Sequence, residues 1–472
     1  MRESKKLSRL KLALPALALA AALGACDQGL TDINVDPNNP TFTKPEYLLA
    51  QGITSSVGRA LGNNFHMTLT ALWSQQFAKI QYIDEDNYDL RDGTINTHWL
   101  GFYAGPLQDF QELAAKAEAG NLPNYKGAAL TMRSWTFATM TDVWGDIPYS
   151  EALQGTVEGG TTAPKYDPQQ EIYNGIFAEL KTASGSFTAG GELAGDPIYD
   201  GDAAAWKKFA NSLRLRYAMR LSQVDPAKAK AEFTAVSLAD VFTSNEDNAM
   251  LAYAGIPDNS PIHEFLRTRD DHAISETMVD TLKRLNDPRL EVYAEPNADG
   301  VYKGRPNAAP RAPLPQYSRL GSWFVQPNTP ALIMTYAEVL FLQAEAAERG
   351  WITGSAAALY KAGITASMQL LGVPQTEIDA YLAEPGVQYR GLQSIALQKW
   401  IALYGNGPEA YAEWRRTGYP GLKAGPDSVN GDKIPVRVPY PSSEQSLNGK
   451  NLKEAIARNG GSTRNDPVWW DK

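Results

Sequence analysis

The sequence predicts a mainly α-helical protein, assembled from tetratricopeptide-like helical hairpins and interrupted by long irregular loop insertions. Three observations point there. Apolar residues recur at spacings of three and four in many segments, helix-capping signatures precede several of them, and few stretches alternate as a strand would. Short turns between neighbouring helices make antiparallel pairs at 105–141, 334–371 and 391–416 that stack side by side. No strict repeat of about 34 residues emerges, so the hairpins are degenerate units rather than a regular solenoid.

In chain order, the first segment is a targeting signal rather than a helix of the fold. Arg2, Lys5, Lys6, Arg9 and Lys11 form a charged region, and residues 12–22 form an apolar core shorter than the ~20 residues of a membrane span. The only cysteine, Cys26, closes the run Leu23-Gly24-Ala25-Cys26. Residues 1–25 are therefore expected to be a cleaved lipoprotein signal peptide, with Cys26 as the lipidated new N-terminus. Asp27 directly after it is an acid at a position that sorts lipoproteins between membranes, with rules that differ among bacterial lineages. Residues 26–45 contain Asn34-Val35-Asp36-Pro37-Asn38-Asn39-Pro40-Thr41, a set of turn formers expected to be a tether.

The helical domain spans 46–472. Helices are expected near 46–62, 66–79, 105–118, 126–141, 168–184, 203–222, 271–285, 334–349, 355–371, 391–404 and 408–416. Asp167-Pro168-Gln169-Gln170 places a capping carboxylate before a proline at the first helical position. From Ala203, the residues Trp206, Phe209, Ala210, Leu213, Tyr217 and Leu221 fall on one face, which is expected to be core. Thr335-Tyr336-Ala337-Glu338 is a capping box, and Gly350 supplies the left-handed stop at the other end. The segments 80–98, 145–166, 186–202, 254–270, 296–330 and 418–445 read as insertions, and loops of that length usually carry function.

Charge and cysteine narrow the function. Cleavage after residue 25 removes five basic residues and one acid, so the formal charge moves from -9 to -13. A chain that acidic, with no basic block, repels phosphates and argues against nucleic acid as a partner. One cysteine leaves no disulfide within the chain. Four histidines (His66, His98, His263, His272) lack metal spacing, and Asp84-Glu85-Asp86 and Asp270-Asp271 lack the calcium-loop pattern, so neither a metal nor a cofactor is expected.

Several runs, in their order, resemble the SusD/RagB family. They are Asp36-Pro37-Asn38-Asn39-Pro40, Asp142-Val143-Trp144-Gly145-Asp146-Ile147-Pro148-Tyr149, Trp206-Lys207-Lys208-Phe209-Ala210-Asn211-Ser212-Leu213-Arg214-Leu215-Arg216 and Asn286-Asp287-Pro288-Arg289. Later come Gln398-Lys399-Trp400, Trp414-Arg415-Arg416-Thr417-Gly418-Tyr419-Pro420 and Ile434-Pro435-Val436-Arg437-Val438-Pro439-Tyr440-Pro441. Locally they read as structural: Gly145 as a helix stop, Asn211 and Arg415-Arg416 as partners of buried backbone and carboxylates. The resemblance implies a right-handed superhelical scaffold in a lipid-anchored lipoprotein at the cell surface of the outer membrane. Such a protein binds an oligosaccharide, or in some branches a peptide, without turnover. It acts as a lid on a SusC-like, TonB-dependent transporter.

Ligand residues of that family lie in variable loops, so chemistry must choose them here. Sugar rings stack on aromatics flanked by amides, carboxylates or arginine. Tyr82, Tyr88 and Trp99, around an insertion holding Asp84, Asp86, Asn87, Asp89 and Arg91, are one candidate group; Asn259, His263, Arg267 and Trp323 are the other. Two alternatives remain: a surface glycoside hydrolase, which needs only two carboxylates across a cleft, and a scaffold that binds proteins alone.

Overall fold

The computed structural model describes residues 43–472 except 156 and 158, so the signal segment, Cys26 and the tether through residue 42 lie outside the described residues. The helices used below are α1 (Pro45–Leu61), α2 (Asp92–Phe102), α3 (Gln108–Ala119), α4 (Pro123–Trp144), α5 (Gln169–Ser186), α6 (Ala203–Arg220), α7 (Pro226–Thr234) and α8 (Glu276–Arg284). After them come α9 (Tyr336–Glu348), α10 (Ala356–Leu370), α11 (Gln375–Ala383), α12 (Leu392–Ala402), α13 (Gly407–Thr417) and α14 (Gly449–Asn459). Each helix from α3 to α6 packs on the next, α9 packs on α10 and α12, and α9 also meets α6, which joins the two stacks. The architecture is mainly helical, as expected. Strands are short and paired antiparallel: β1 (Phe77–Lys79) with β5 (His272–Ile274), β2 (Ile147–Pro148) with β3 (Tyr166–Asp167), and β4 (Ala249–Leu251) with β6 (Ala331–Met334).

Local chemistry explains the main boundaries. Asp202 caps α6 by accepting from the backbone N–H groups of Ala204 and Ala205, and Thr335 caps α9 by accepting from Glu338. Gly145 ends α4 at φ +85°, and a Cβ there would lie 2.1 Å from Arg437 Nη2. That guanidinium closes the helix end by donating from Nε to the Trp144 carbonyl at 2.9 Å.

The predicted core face of α6 is buried, and so is everything else from Phe209 to Arg220. A helix enclosed on all sides must find partners for its charges. Arg216 forks onto Glu338 at 2.7 and 2.5 Å, Arg220 donates to Glu409 at 2.5 Å, and Asn211 donates to the Asp240 carbonyl at 3.1 Å. Around the same core Lys399 meets Glu413 at 3.0 Å, and Arg416 bridges Glu345 and Glu413. Arg415 donates to the carbonyls of Asp142 and Val436 at 2.7 and 2.9 Å. Trp470 seals this region: its indole donates to Asp142 Oδ1 at 2.8 Å, and the Arg415 and Arg220 guanidinium carbons lie 4.6 and 5.3 Å from its ring centroid.

Some expectations are corrected. The helix expected at 66–79 is a π-helical segment, Asn63–Thr70, and a turn of α-helix that give way to β1. The one expected at 271–285 begins as strand β5, with Ser275 capping α8. Asp167 does not cap α5. It lies in β3 and accepts from the backbone N–H groups of Tyr149 and Ser150 at 3.1 and 2.7 Å, while Asp146 accepts from Gln169 N at 2.8 Å. The insertion 80–98 holds the start of α2. Helices α7, α11 and α14 were not expected, although Asp225-Pro226 carries the same cap signature read at 167–168, and Asp225 does accept from Lys228 N.

Candidate ligand cleft

Strand pairing builds the site from two distant parts of the chain. β1 runs antiparallel to β5 with Lys79 opposite His272, and the ladder continues through Ile80 N donating to Asp271 O at 2.9 Å. The residues before β5 form the short helix Pro261–Leu266, and the segment around Ser322–Phe324 folds against it through a bond between His263 Nδ1 and the Val325 carbonyl at 2.8 Å. Between them opens a cleft of about 220 Å³, lined by His263, Leu266, Arg267, Asp270, His272, Arg319, Leu320 and Val325. An apolar floor with charged groups at the edge suits a ligand that is apolar on its faces and polar at its rim, such as a sugar ring.

The charged groups are held by one another. Arg319 forks onto Asp270 at 2.9 and 2.8 Å. Glu264 accepts from Asn259 at 2.6 Å and from Arg267 at 3.2 and 3.0 Å, and these bonds hold its carboxyl below the usual carboxylate range. A general acid for glycoside cleavage needs the opposite shift. His272 is fully buried, which pushes it down to about 3 and keeps it neutral. Its ring meets Phe265 edge-on at 5.6 Å.

The candidate residues from sequence separate into two sets. His263 and Arg267 come together in the cleft lining; Asn259 is linked to Arg267 through Glu264, and half-buried Trp323 lies outside the lining, edge-on to Phe324 at 4.7 Å. Tyr82 lies outside the lining but is tied to Arg269, the neighbour of Asp270 in the chain; it is 56% exposed, and the Arg269 guanidinium carbon lies 4.9 Å from its ring centroid. Tyr88 and Trp99 do not join. Both are core: Tyr88 packs on Trp73, and Trp99 sits among Tyr103, Trp144, Tyr166 and Tyr440 with its indole donating to Glu444. For Trp99 the cause is α2, whose Ile95, His98, Trp99 and Phe102 make one buried face at helical spacing. Asp86 is also interior. It accepts from Lys79 N and Asn307 Nδ2 at 3.0 and 2.8 Å, and burial raises it to about 6.

Asp270 and Arg319 complete the lining, with Phe265 and Arg269 beside it; of these only Asp270 stands out in the sequence, as half of an acidic pair. No local signal marks the others, because Arg319 reaches Asp270 only where its segment bonds to β5, Ile274 N donating to the Ser318 carbonyl at 3.2 Å. Among the described residues no cluster of His, Cys, Asp or Glu is arranged to hold a metal, and no helix is long and apolar enough to cross a membrane.

Comparison with known proteins agrees with this architecture. Residues 37–441 match the SusD-like family described as starch-binding and associating with the outer membrane. Among solved structures, a chitin-binding protein is 31% identical over 91% of this chain and 100% of its own, with a TM-score of 0.82. A SusD homologue from Bacteroides uniformis is 26% identical over 90% of this chain and 99% of its own, with a TM-score of 0.81. A chitin-binding SusD homologue from Flavobacterium johnsoniae is also 26% identical, over the same shares, with a TM-score of 0.80. No curated protein sequence matches at a significant level. With a family match across most of its length and a fold shared with these homologues, the chain belongs to the SusD-like family of outer-membrane-associated proteins.

Proposed function

We propose that this protein is a lipid-anchored nutrient-binding protein of the outer membrane that captures a glycan in the cleft between Pro261–Leu266 and the 319–325 segment. It then delivers the glycan as a lid to a SusC-like, TonB-dependent transporter. The observation that carries the reading is the cleft itself, where apolar Leu266, Leu320 and Val325 meet Arg267, Asp270, Arg319 and His263; exposed Tyr82 is stacked on Arg269, the residue next to Asp270 in the chain. The chitin-binding homologues favour an N-acetylglucosamine oligomer as ligand, and the family description keeps starch-type oligomers in view. Capture requires no bond cleavage, in keeping with a Glu264 carboxyl held ionised rather than poised as an acid. Anchoring is through Cys26, and import energy comes from the transporter.

The test is calorimetric titration of the mature protein, solubilised in detergent, with chitin-type, starch-type and peptide ligands, each mixture assayed for products. Saturable binding of a glycan without product, weakened severalfold on replacing Tyr82 or Arg319, is the expected result. Binding of peptides alone would move the protein to the peptide-importing branch, and product formation would overturn the non-enzymatic reading. Co-purification with a TonB-dependent barrel tests the lid role.

A further inference from the structure

We propose that Arg269 is a positioning residue that fixes the Tyr82 ring beside the cleft helix Pro261–Leu266, so that loops nearly two hundred positions apart present one ligand platform. The proposal rests on the glycan-binding reading above. Lys79 opposes His272 across β1 and β5, and the bond from Ile80 N to Asp271 O extends the ladder by one pair. Carried on in that register, position 82 falls opposite position 269.

Tyr82 has a left-handed backbone at φ +49°, a conformation that a bulky residue keeps only where its surroundings hold it. Two neighbours do so. Lys79 Nζ donates to the Tyr82 carbonyl at 3.1 Å, and the Arg269 guanidinium carbon stands 4.9 Å from the centre of the ring. Arg269 is itself fixed on two sides. Its Nε and Nη2 lie 2.6 and 2.5 Å from Asp271 Oδ2, an oxygen of a buried carboxylate, and its guanidinium carbon lies 5.4 Å from the centroid of Phe265 in the helix that walls the cleft. The planar cation is thus a spacer between two rings. It covers one face of Tyr82 and leaves the ring more than half exposed, which frees the other face to stack on a sugar. A lysine would keep the charge beside Asp271 but lose the flat contact.

The test measures affinity for an N-acetylglucosamine hexamer with the full mature protein as wild type, Tyr82→Ala, Arg269→Ala, Arg269→Lys and the Tyr82→Ala/Arg269→Ala double variant. Each single variant is expected to bind about fivefold or more weakly, the loss of one stacked contact. Because Arg269 acts through the ring, the double variant should fall no more than about twofold below Tyr82→Ala alone. Losses that multiply in the double variant overturn the proposal, as does undiminished affinity in Tyr82→Ala or Arg269→Ala. Hydrogen exchange of residues 80–86 without ligand supplies an independent reading: it should accelerate in Arg269→Ala and Arg269→Lys while α4 stays protected. A wild type that binds no glycan would defeat the functional reading alone, and the exchange data would still decide the positioning role, unchanged exchange overturning it.

Discussion

The helical core and the ligand cleft use the same chemical pair, arginine with a carboxylate, in opposite settings. In the core Arg216 and Glu338 are 3% and 2% exposed, whereas in the cleft Arg319 and Asp270 are 56% and 53% exposed. Both pairs are bidentate. A buried pair has lost its water and cannot regain it while the fold holds, so it fixes which helices meet and in what register. An exposed pair is nearly isoenergetic with its solvated parts, and a ligand hydroxyl can replace either half at little cost. The difference shows that geometry alone does not tell a strut from a contact surface; desolvation does.

The sharpest break in that comparison is Glu338→Ala, which takes from buried Arg216 its bidentate partner and leaves it the Ile333 carbonyl at 3.0 Å and Glu409 at 3.6 Å. It is expected to cost about 3–5 kcal/mol in chemical denaturation, and replacing the pair together by Arg216→Met and Glu338→Leu should recover most of the loss. A loss below about 1 kcal/mol would erase the contrast with the cleft.

Next in size is a pH effect confined to the core. Burial pushes His66 and His272 down to about 3, and burial with Arg59 nearby pushes His98 down to about 4. A histidine held below its ordinary value supplies stability that is complete above about pH 6.5 and is lost as the pH falls toward its folded value, at up to about 1.4 kcal/mol per pH unit for each proton. Asp86 and Asp471, raised to about 6 and about 7 chiefly by burial, act in the other direction, so the informative measurement is a difference. Between pH 6 and 4.5 the unfolding free energy of His66→Gln should fall less steeply than that of the wild type. Equal slopes would show that His66 takes up its proton in the folded state.

Smaller still, Asp202→Ala should cost about 1 kcal/mol by removing the α6 cap. Smallest in stability is Arg319→Ala, expected to stay within about 0.5 kcal/mol of wild type in denaturation while weakening glycan binding severalfold. A large stability loss there would make the cleft pair a strut after all.

Much of the scaffold was legible because its signals are local. The spacing of Trp206, Phe209, Ala210, Leu213, Tyr217 and Leu221 gave a buried face, Thr335 a real cap, Gly145 a real stop, and Arg415 and Arg416 partners in carbonyls and carboxylates. Trp99 was equally legible in principle. Ile95, His98, Trp99 and Phe102 sit at helical spacing, and reading that face would have taken Trp99 out of the ligand set. Tyr88 has no such period, and only the packing of Trp73 onto it shows that it is core. The site was half visible: Asn259, His263, Arg267 and Tyr82 stood out by residue type, but Arg269 acquires meaning only when β5 finds β1, and the Asp270–Arg319 pair only when the 318–319 segment bonds to β5. Asp167 shows the converse, a sound local cap signature diverted by pairing of β3 with β2.

Trp470 sets a schedule for the chain. Its indole occupies a place beside Asp142, Arg220 and Arg415 in the middle of the bundle, so the interior that organises residues 142 to 416 lacks its last filler until residue 470 arrives. A chain shortened before residue 470 therefore leaves Asp142, Arg220 and Arg415 without this packing partner.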